Sequence, residues 1–282
     1  MRVMILGAGG MLGHDLVVTA PSDVALFPTT RSELDITNYA AVATRVGEVG
    51  PDIIVNAAAY TAVDRAESEP ALAFRVNAEA TRELGRIAAT ARIPVVQFST
   101  DYVFDGNNTI PYLEEDATNP LNVYGASKLA GETALAESGA KFLILRTQWL
   151  FGASGRSFPK TMWERATAGI PTKVVSDQTG RPTDTGDLAR TTWGLVERRA
   201  RGVLHVANRG EATWFDVANH IFSRAGRPDL IRPCTTDEHP SRARRPRYSV
   251  LDTRRVEGLV GPLPEWKRAM DVFLGNLAAP DR

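Results

Sequence analysis

Cysteine is almost missing from this chain: Cys234 stands alone among 282 residues. One thiol closes no internal disulfide and builds no cysteine metal cluster, so stability has to come from a packed core. Net charge is missing too, with 33 Lys and Arg against 33 Asp and Glu. A balanced chain has no long-range field to steer it onto nucleic acid, and the one basic run, Arg242-Ala243-Arg244-Arg245-Pro246-Arg247, is short and without aromatics. No apolar run approaches the roughly 18 residues of a membrane-spanning helix. The first apolar run, Val3-Met4-Ile5-Leu6, ends in glycines and does not read as a signal peptide. Histidine is sparse: His14, His205, His220 and His239 form no H-x-x-x-H pair, and no metal role is assigned to them. These absences leave the cytoplasm as the default location, with neither nucleic acid nor membrane expected as partner.

What is present begins at the N-terminus. Val3-Met4-Ile5-Leu6 reads as a strand, and Gly7-Ala8-Gly9-Gly10-Met11-Leu12-Gly13 follows at once. A strand that feeds a glycine turn opening a helix is a dinucleotide site. Gly7 permits the tight turn, Gly10 lets backbone approach a pyrophosphate, and Gly13 lets the helix lie close on the strand. The helix start then presents free N–H groups and a positive dipole end to the anion.

The rest of the first half alternates strands and helices. Residues 24–28 read as the second strand, with Arg31 and Ser32 just beyond it. An acid at that place holds a ribose 2′-hydroxyl, whereas an arginine accommodates a 2′-phosphate, so Arg31 favours NADPH, with NADH possible. Asp35 and Ile36 follow near the adenine, and Thr37 or Asn38 caps a helix through Val49. Residues 52–56 are apolar and β-branched, as in a strand buried on both faces. Ala57, Ala58 and Ala59 are small enough for a cofactor to lie against, and Tyr60 and Thr61 begin a loop. A single long helix is expected over 70–91, with Asn77 inside it. The strand at 94–99 ends in Thr100-Asp101-Tyr102, and ligands of open α/β sheets bind outside such carboxyl ends.

Tyr124 and Lys128 are four residues apart on the next expected helix, hence on one face. Free tyrosine has a pKa of about 10 and is a reluctant proton carrier at neutral pH. A neighbouring ammonium favours the phenolate and lowers that value. Tyr124 then protonates a ketone oxygen as hydride reaches its carbon, Lys128 holds the nicotinamide ribose, and Thr100 donates to the same oxygen. After a strand at 142–146 the rhythm loosens. The expectation is an α/β fold: a Rossmann-type doubly wound parallel sheet in residues 1–150, with later segments returning to it, and a smaller, interleaved C-terminal substrate lobe mainly in 151–282.

Further stretches carry a resemblance: 56–64 (Asn-Ala-Ala-Ala-Tyr-Thr-Ala-Val-Asp), 99–106 (Ser-Thr-Asp-Tyr-Val-Phe-Asp-Gly), 120–125, Arg146-Thr147-Gln148-Trp149 and 177–183 (Asp-Gln-Thr-Gly-Arg-Pro-Thr). With the G-x-x-G-x-x-G loop, they resemble the extended short-chain dehydrogenase/reductase family, and within it the reductases of dTDP-4-dehydrorhamnose, from Met1 to about Asp252. The resemblance implies reduction of the C4 ketone of dTDP-4-dehydro-L-rhamnose to dTDP-L-rhamnose by NADPH or NADH. It implies Tyr124 as proton donor with Lys128 its partner, and Thr100, Asp101, Tyr102 and Trp149 around the sugar. Gly10, Met11, Leu12, Asp35, Ile36, Ala59, Tyr60 and Thr61 match cofactor-contacting positions. Arg244 and Arg245 pair with the diphosphate or form a solvated basic loop. Some relatives dimerise around Mg²⁺ held by three glutamates; here Asp15 and Asp187 fall near two of those places, one methylene shorter, and 274–278 offers no third acid. The expectation is therefore no metal, in a monomer or homodimer. Two alternatives stay open: a 4-ketoreductase of another dTDP-deoxysugar, and a non-catalytic NADP-binding regulatory subunit. A 4,6-dehydratase needs an acid–base pair after the threonine, and Asp101 is followed by Tyr102.

Overall fold

β1 (Arg2–Leu6) pairs in parallel with β2 (Ala25–Thr29) on one side and β3 (Ile53–Asn56) on the other. β4 (Val95–Thr100), β5 (Phe142–Thr147) and β10 (Gly202–His205) extend the sheet beyond β3, giving the order β10-β5-β4-β3-β1-β2, all parallel. The computed structural model describes residues 1–278. Every residue of β3 and β4 is buried, which is why these strands read as near-continuous apolar runs rather than alternating ones.

Helices cover both faces. On one, α1 (Met11–Val18) and α8 (Thr185–Glu197) bury Leu12, Leu16, Leu188 and Leu195 against Val3, Ile5, Val55 and Leu145. On the other, α2 (Tyr39–Val49), α5 (Ala80–Ala91) and α6 (Val123–Ala136) bury Val42, Val46, Leu84 and Leu135 against Met4, Ile54 and Ile144. Asn38 caps α2, its side chain accepting from Ala41 N, and Gly50 ends it in the left-handed region at φ 53°.

The long helix of 70–91 is interrupted. α4 (Pro70–Phe74) passes into a π turn (Arg75–Glu79) before α5 resumes the α-helical path. Short α3 (Val63–Ala66) precedes it. The wide turn carries Asn77, whose side chain is drawn out of the helix by partners described below.

A third core lies apart from the sheet. It joins α7 (Phe158–Thr167), α9 (Trp214–Arg224) and α11 (Trp266–Ala278) through Phe151, Met162, Val217, Phe222, Trp266 and Phe273. The parallel pair β7 (Thr172–Val175) and β12 (Ile231–Cys234) lines it, and two shorter pairs stand outside the main sheet, β6 (Leu150–Phe151) with β9 (Thr183–Asp184) and β8 (Thr179–Gly180) with β11 (Ala212–Thr213). The second half of the chain thus contributes to two cores, because α8, β10 and the short helix α10 (Arg254–Val260) return to the sheet. No helix among the described residues is long and apolar enough to cross a membrane.

Candidate active site

The sheet grows in opposite directions from β1 and β3, so their carboxyl ends part there and leave a cleft of about 950 Å³. Gly7, Gly10, Arg31, Asp35 and Ile36 line one side, and Ala57, Ala58, Ala59, Tyr60 and Thr61 the other. Gly7 sits at φ 78°, and a Cβ there would stand 2.6 Å from the amide nitrogen of Ala58. A Cβ on Gly13 would stand 2.1 Å from the Gly7 carbonyl oxygen, so α1 can lie on the turn only because that atom is missing. Gly10, the N-cap of α1, offers no side-chain acceptor to the first-turn N–H groups. Those donors are left for an anion, which fits a dinucleotide pyrophosphate. Leu12 and Gly13 do not line the cleft: Leu12 packs into the core, and Gly13 serves the close approach. The Met11 side chain lies towards Gly152 and Gly155 instead.

Arg31 is solvent-facing, with only a loose 3.9 Å contact to Asp35. Asp35 is occupied by Thr37, whose backbone N–H and hydroxyl both donate to it at 2.8 Å and hold its carboxyl below the usual range. The guanidinium of Arg31 is therefore available to a phosphate at the cleft rim.

The catalytic residues expected from the sequence come together at the end of β4. Thr100 and Thr147 are register partners at the carboxyl ends of β4 and β5. The Thr100 hydroxyl donates to Asp101 at 3.0 Å and accepts from Tyr102 N at 3.1 Å. It also lies beside the Tyr124 phenol, where it favours the phenolate, but burial outweighs it and pushes Tyr124 up to about 12. The lowering expected from Lys128 is not what the structure has. The Lys128 ammonium donates instead to the carbonyl of Phe98 at 2.6 Å, and burial brings its own pKa down to about 8. Glu132, one turn further along α6, favours its charged form and is itself locked to Arg146 at 2.8 Å in a buried ion pair.

Asp101 does not offer a carboxylate to a sugar. It is 2% exposed, and its second oxygen accepts from the Ser249 hydroxyl at 2.6 Å. Tyr102 packs edge-on to Tyr124, with ring centroids 6.0 Å apart. Trp149, at φ 49°, is stacked on Trp214 with centroids 3.7 Å apart, and its indole N–H is buried without an acceptor among the described residues. The neighbouring Gln148 is fixed by Arg181 N, which donates to its carbonyl oxygen at 3.0 Å, leaving its amide nitrogen unpartnered.

Asn77 was legible only as a poor helix former in mid-helix. Its side chain accepts from Tyr60 N at 2.9 Å and donates to Tyr60 O at 3.0 Å and to the Ser127 hydroxyl at 2.9 Å. The cofactor-side loop is thereby tied to the stretch of α6 between Tyr124 and Lys128. Asp64, Ser127 and Ser249 were likewise unassigned by sequence, since each acts through a partner more than 45 residues away.

Asp15 and Asp187, the two acids matched to the relatives' metal-holding positions, are both engaged within the chain. Asp15 accepts from Thr185 and His14, and Asp187 from Arg190 at 2.6 Å and Asn208 at 2.8 Å, so all four carboxylate oxygens have partners within the chain. No group of three or more His, Cys, Asp or Glu among the described residues could hold a metal ion.

Comparison with known proteins agrees with this geometry. A family model described as RmlD substrate binding domain matches residues 1–279. A dTDP-4-dehydrorhamnose reductase of Sinorhizobium fredii is 38% identical, over 95% of this chain and 95% of its own length. A Streptomyces antibioticus protein named as a probable dTDP-4,6-dihydroxy-2-methyloxan-3-one 4-ketoreductase is 41% identical, over 99% and 97%. The crystal structure of a dTDP-4-dehydrorhamnose reductase from Bacillus anthracis in complex with NADP is similar at a TM-score of 0.93 and 37% identity, covering 98% of this chain and 99% of that one. The chain belongs to the dTDP-4-dehydrorhamnose reductase family of extended short-chain dehydrogenases/reductases.

Proposed function

We propose that the protein reduces the C4 ketone of dTDP-4-dehydro-L-rhamnose to dTDP-L-rhamnose, using NADPH or, less well, NADH. One observation carries this reading: Thr100 at the end of β4 stands beside the Tyr124 phenol, Lys128 one turn along α6 is bonded to Phe98 of the same strand, and Asn77 ties that stretch of α6, through Ser127, to the loop that lines the dinucleotide cleft. A nicotinamide dinucleotide bound in that cleft supplies hydride. Gly7, Gly10 and the start of α1 hold its pyrophosphate, and Arg31 its 2′-phosphate. Tyr124 delivers the proton to the C4 oxygen. Burial keeps the phenol protonated at neutral pH, the form from which a donor starts, but a value of about 12 makes it a weaker acid than free tyrosine, so transfer requires that bound cofactor and sugar lower that value. Thr100 stands beside it, and Lys128, one turn along α6, is fixed on the Phe98 carbonyl.

We assign 1–150 to the cofactor domain, joined by α8, β10 and α10, and the third core to the substrate lobe, with Trp149 between them. The lone buried Cys234 needs no oxidising compartment, and the reading places the enzyme in the cytoplasm as a monomer or homodimer. A second reading, a 4-ketoreductase of another dTDP-deoxysugar, is favoured by the identity with the Streptomyces antibioticus protein. The test mixes purified protein, NADPH and enzymatically made dTDP-4-dehydro-L-rhamnose. It follows cofactor absorbance and identifies the product by NMR. Oxidation that yields dTDP-L-rhamnose upholds the first reading. A protein that binds NADPH but leaves this sugar untouched, while reducing another dTDP-4-keto sugar, upholds the second.

A further inference from the structure

Asp64 and Arg245 lie 181 residues apart and meet beside Tyr102. The guanidinium grips the carboxylate with two N–H groups, at 2.7 and 3.2 Å, in the fork geometry that lysine cannot reproduce. The same carboxylate accepts from Ala243 N at 3.1 Å, so it holds the backbone of this segment as well as its side chain. Asn122, the N-cap of α6, donates to the Arg244 carbonyl at 2.8 Å while accepting from Gly125 N at 2.7 Å. Further on, the Ser249 hydroxyl donates to Asp101. Residues 243–249 therefore form a strap running from α3, which follows the cofactor loop, across the start of the catalytic helix to the end of β4.

Tyr102 lies under this strap. Its hydroxyl is beside the Arg245 guanidinium, its ring is edge-on to Tyr124, and its carbonyl oxygen fills the space where a Cβ on Gly125 would be. The pair is too exposed for stability to be its main contribution, with 21% of the Arg245 side chain and 45% of that of Asp64 accessible. It also occupies Arg245, one of the two arginines that could otherwise have met the diphosphate.

Building on the reductase reading, we propose that Asp64 and Arg245 form a clasp that positions Tyr102 and Tyr124 and couples cofactor occupancy of the 57–62 loop to binding of the sugar nucleotide. Both are positioning residues: they act through Tyr102 and the strap.

The test uses the full chain as wild type, Asp64→Asn, Arg245→Lys and the double variant, with thermal melting alongside. NADPH binding without sugar is titrated by fluorescence, dTDP binding is titrated with and without NADPH, and kcat and KM are measured with the 4-keto sugar nucleotide. Either single substitution is expected to lower kcat/KM for the sugar roughly 10-fold while the Kd for NADPH alone moves less than about 2-fold. The double variant should be no worse than the weaker single, because the two residues form one unit. NADPH should tighten dTDP binding in the wild type and fail to do so in the variants. Fully additive losses, unchanged kcat/KM, or losses that follow the melting temperature alone overturn the clasp. Tighter dTDP binding by Asp64→Asn also overturns it, since that outcome makes Arg245 a diphosphate anchor held back by Asp64. A wild type that reduces no 4-keto sugar nucleotide defeats the functional reading instead, and the NADPH–dTDP coupling still decides on the clasp.

Discussion

At the scale of single residues, burial is the main cause that moves the pKa values of Tyr102, Tyr124, Lys128 and Asp101 away from their ordinary values. Tyr124 is kept protonated, Lys128 is brought down to about 8, and Asp101 is raised to about 7. Tyr124→Phe should leave NADPH binding unchanged and reduce turnover by about 10² to 10⁴, the usual contribution of a general acid, as a fluorescence titration and a turnover assay on the same preparation will reveal. Asp101 makes a second prediction with a definite sign. Its folded pKa lies above the ordinary 3.8 of an aspartate, so the folded protein binds the extra proton between about pH 4 and 7. Stability is then greatest below the unfolded value and declines as pH rises through that window. Urea midpoints of wild type and Asp101→Asn, taken from pH 4 to 8, should diverge in favour of the variant as pH rises. A constant difference across the series would remove Asp101 as the titrating group.

At the scale of elements, the strand–turn–helix at the N-terminus was fully legible. Gly7 and Gly13 each meet a backbone constraint that only glycine satisfies, and such constraints leave a pattern in the sequence, whereas a Cβ on Gly10 would meet only an ordinary 3.4 Å contact with the Gly7 carbonyl oxygen. Gly13→Ala would set a Cβ 2.1 Å from the Gly7 carbonyl oxygen, and backbone cannot swing aside as a side chain can. We expect α1 to lift, with a loss of about 1–3 kcal/mol in urea denaturation and markedly weaker NADPH binding. Gly47→Ala is the control: it lies within α2, nothing stands within 4 Å of its added Cβ, and it should stabilise by about 0.5–1 kcal/mol. The interruption of the helix over 70–91 was not legible. Apolar spacing continues across Asn77, and the π turn exists because Tyr60 and Ser127, from two other elements, bind that side chain. Likewise, Asp101 reads as a sugar contact in a strand-end motif. Only the fold brings Ser249 to it, 148 residues later, and turns it inward.

At the scale of the molecule, the parallel sheet was legible because strands buried on both faces are written as apolar runs. The return of later segments was written more faintly, since α8, β10 and α10 look locally like any helix or strand. Their position makes the interleaving physical: α8 and α10 supply Leu188, Leu195 and Val256 to the core that covers Val3, Ile5 and Leu145. A fragment of residues 1–150 would keep α1 but lose α8, β10 and α10, exposing the part of that face they cover. We expect it to lack the near-ultraviolet circular dichroism and dispersed NMR spectrum of the full chain, whatever helix content it keeps. Trp149 follows the end of β5 and Trp214 opens α9, so their stacked indoles, inclined at only 10°, join the sheet to the third core. Rings stacked this closely share their electronic excitation, and the chain thereby carries its own optical gauge. A paired positive and negative band in the indole region would report the distance between sheet and lobe, and sliding of α9 as a sugar nucleotide binds would be read as a change in that couplet, without any added label.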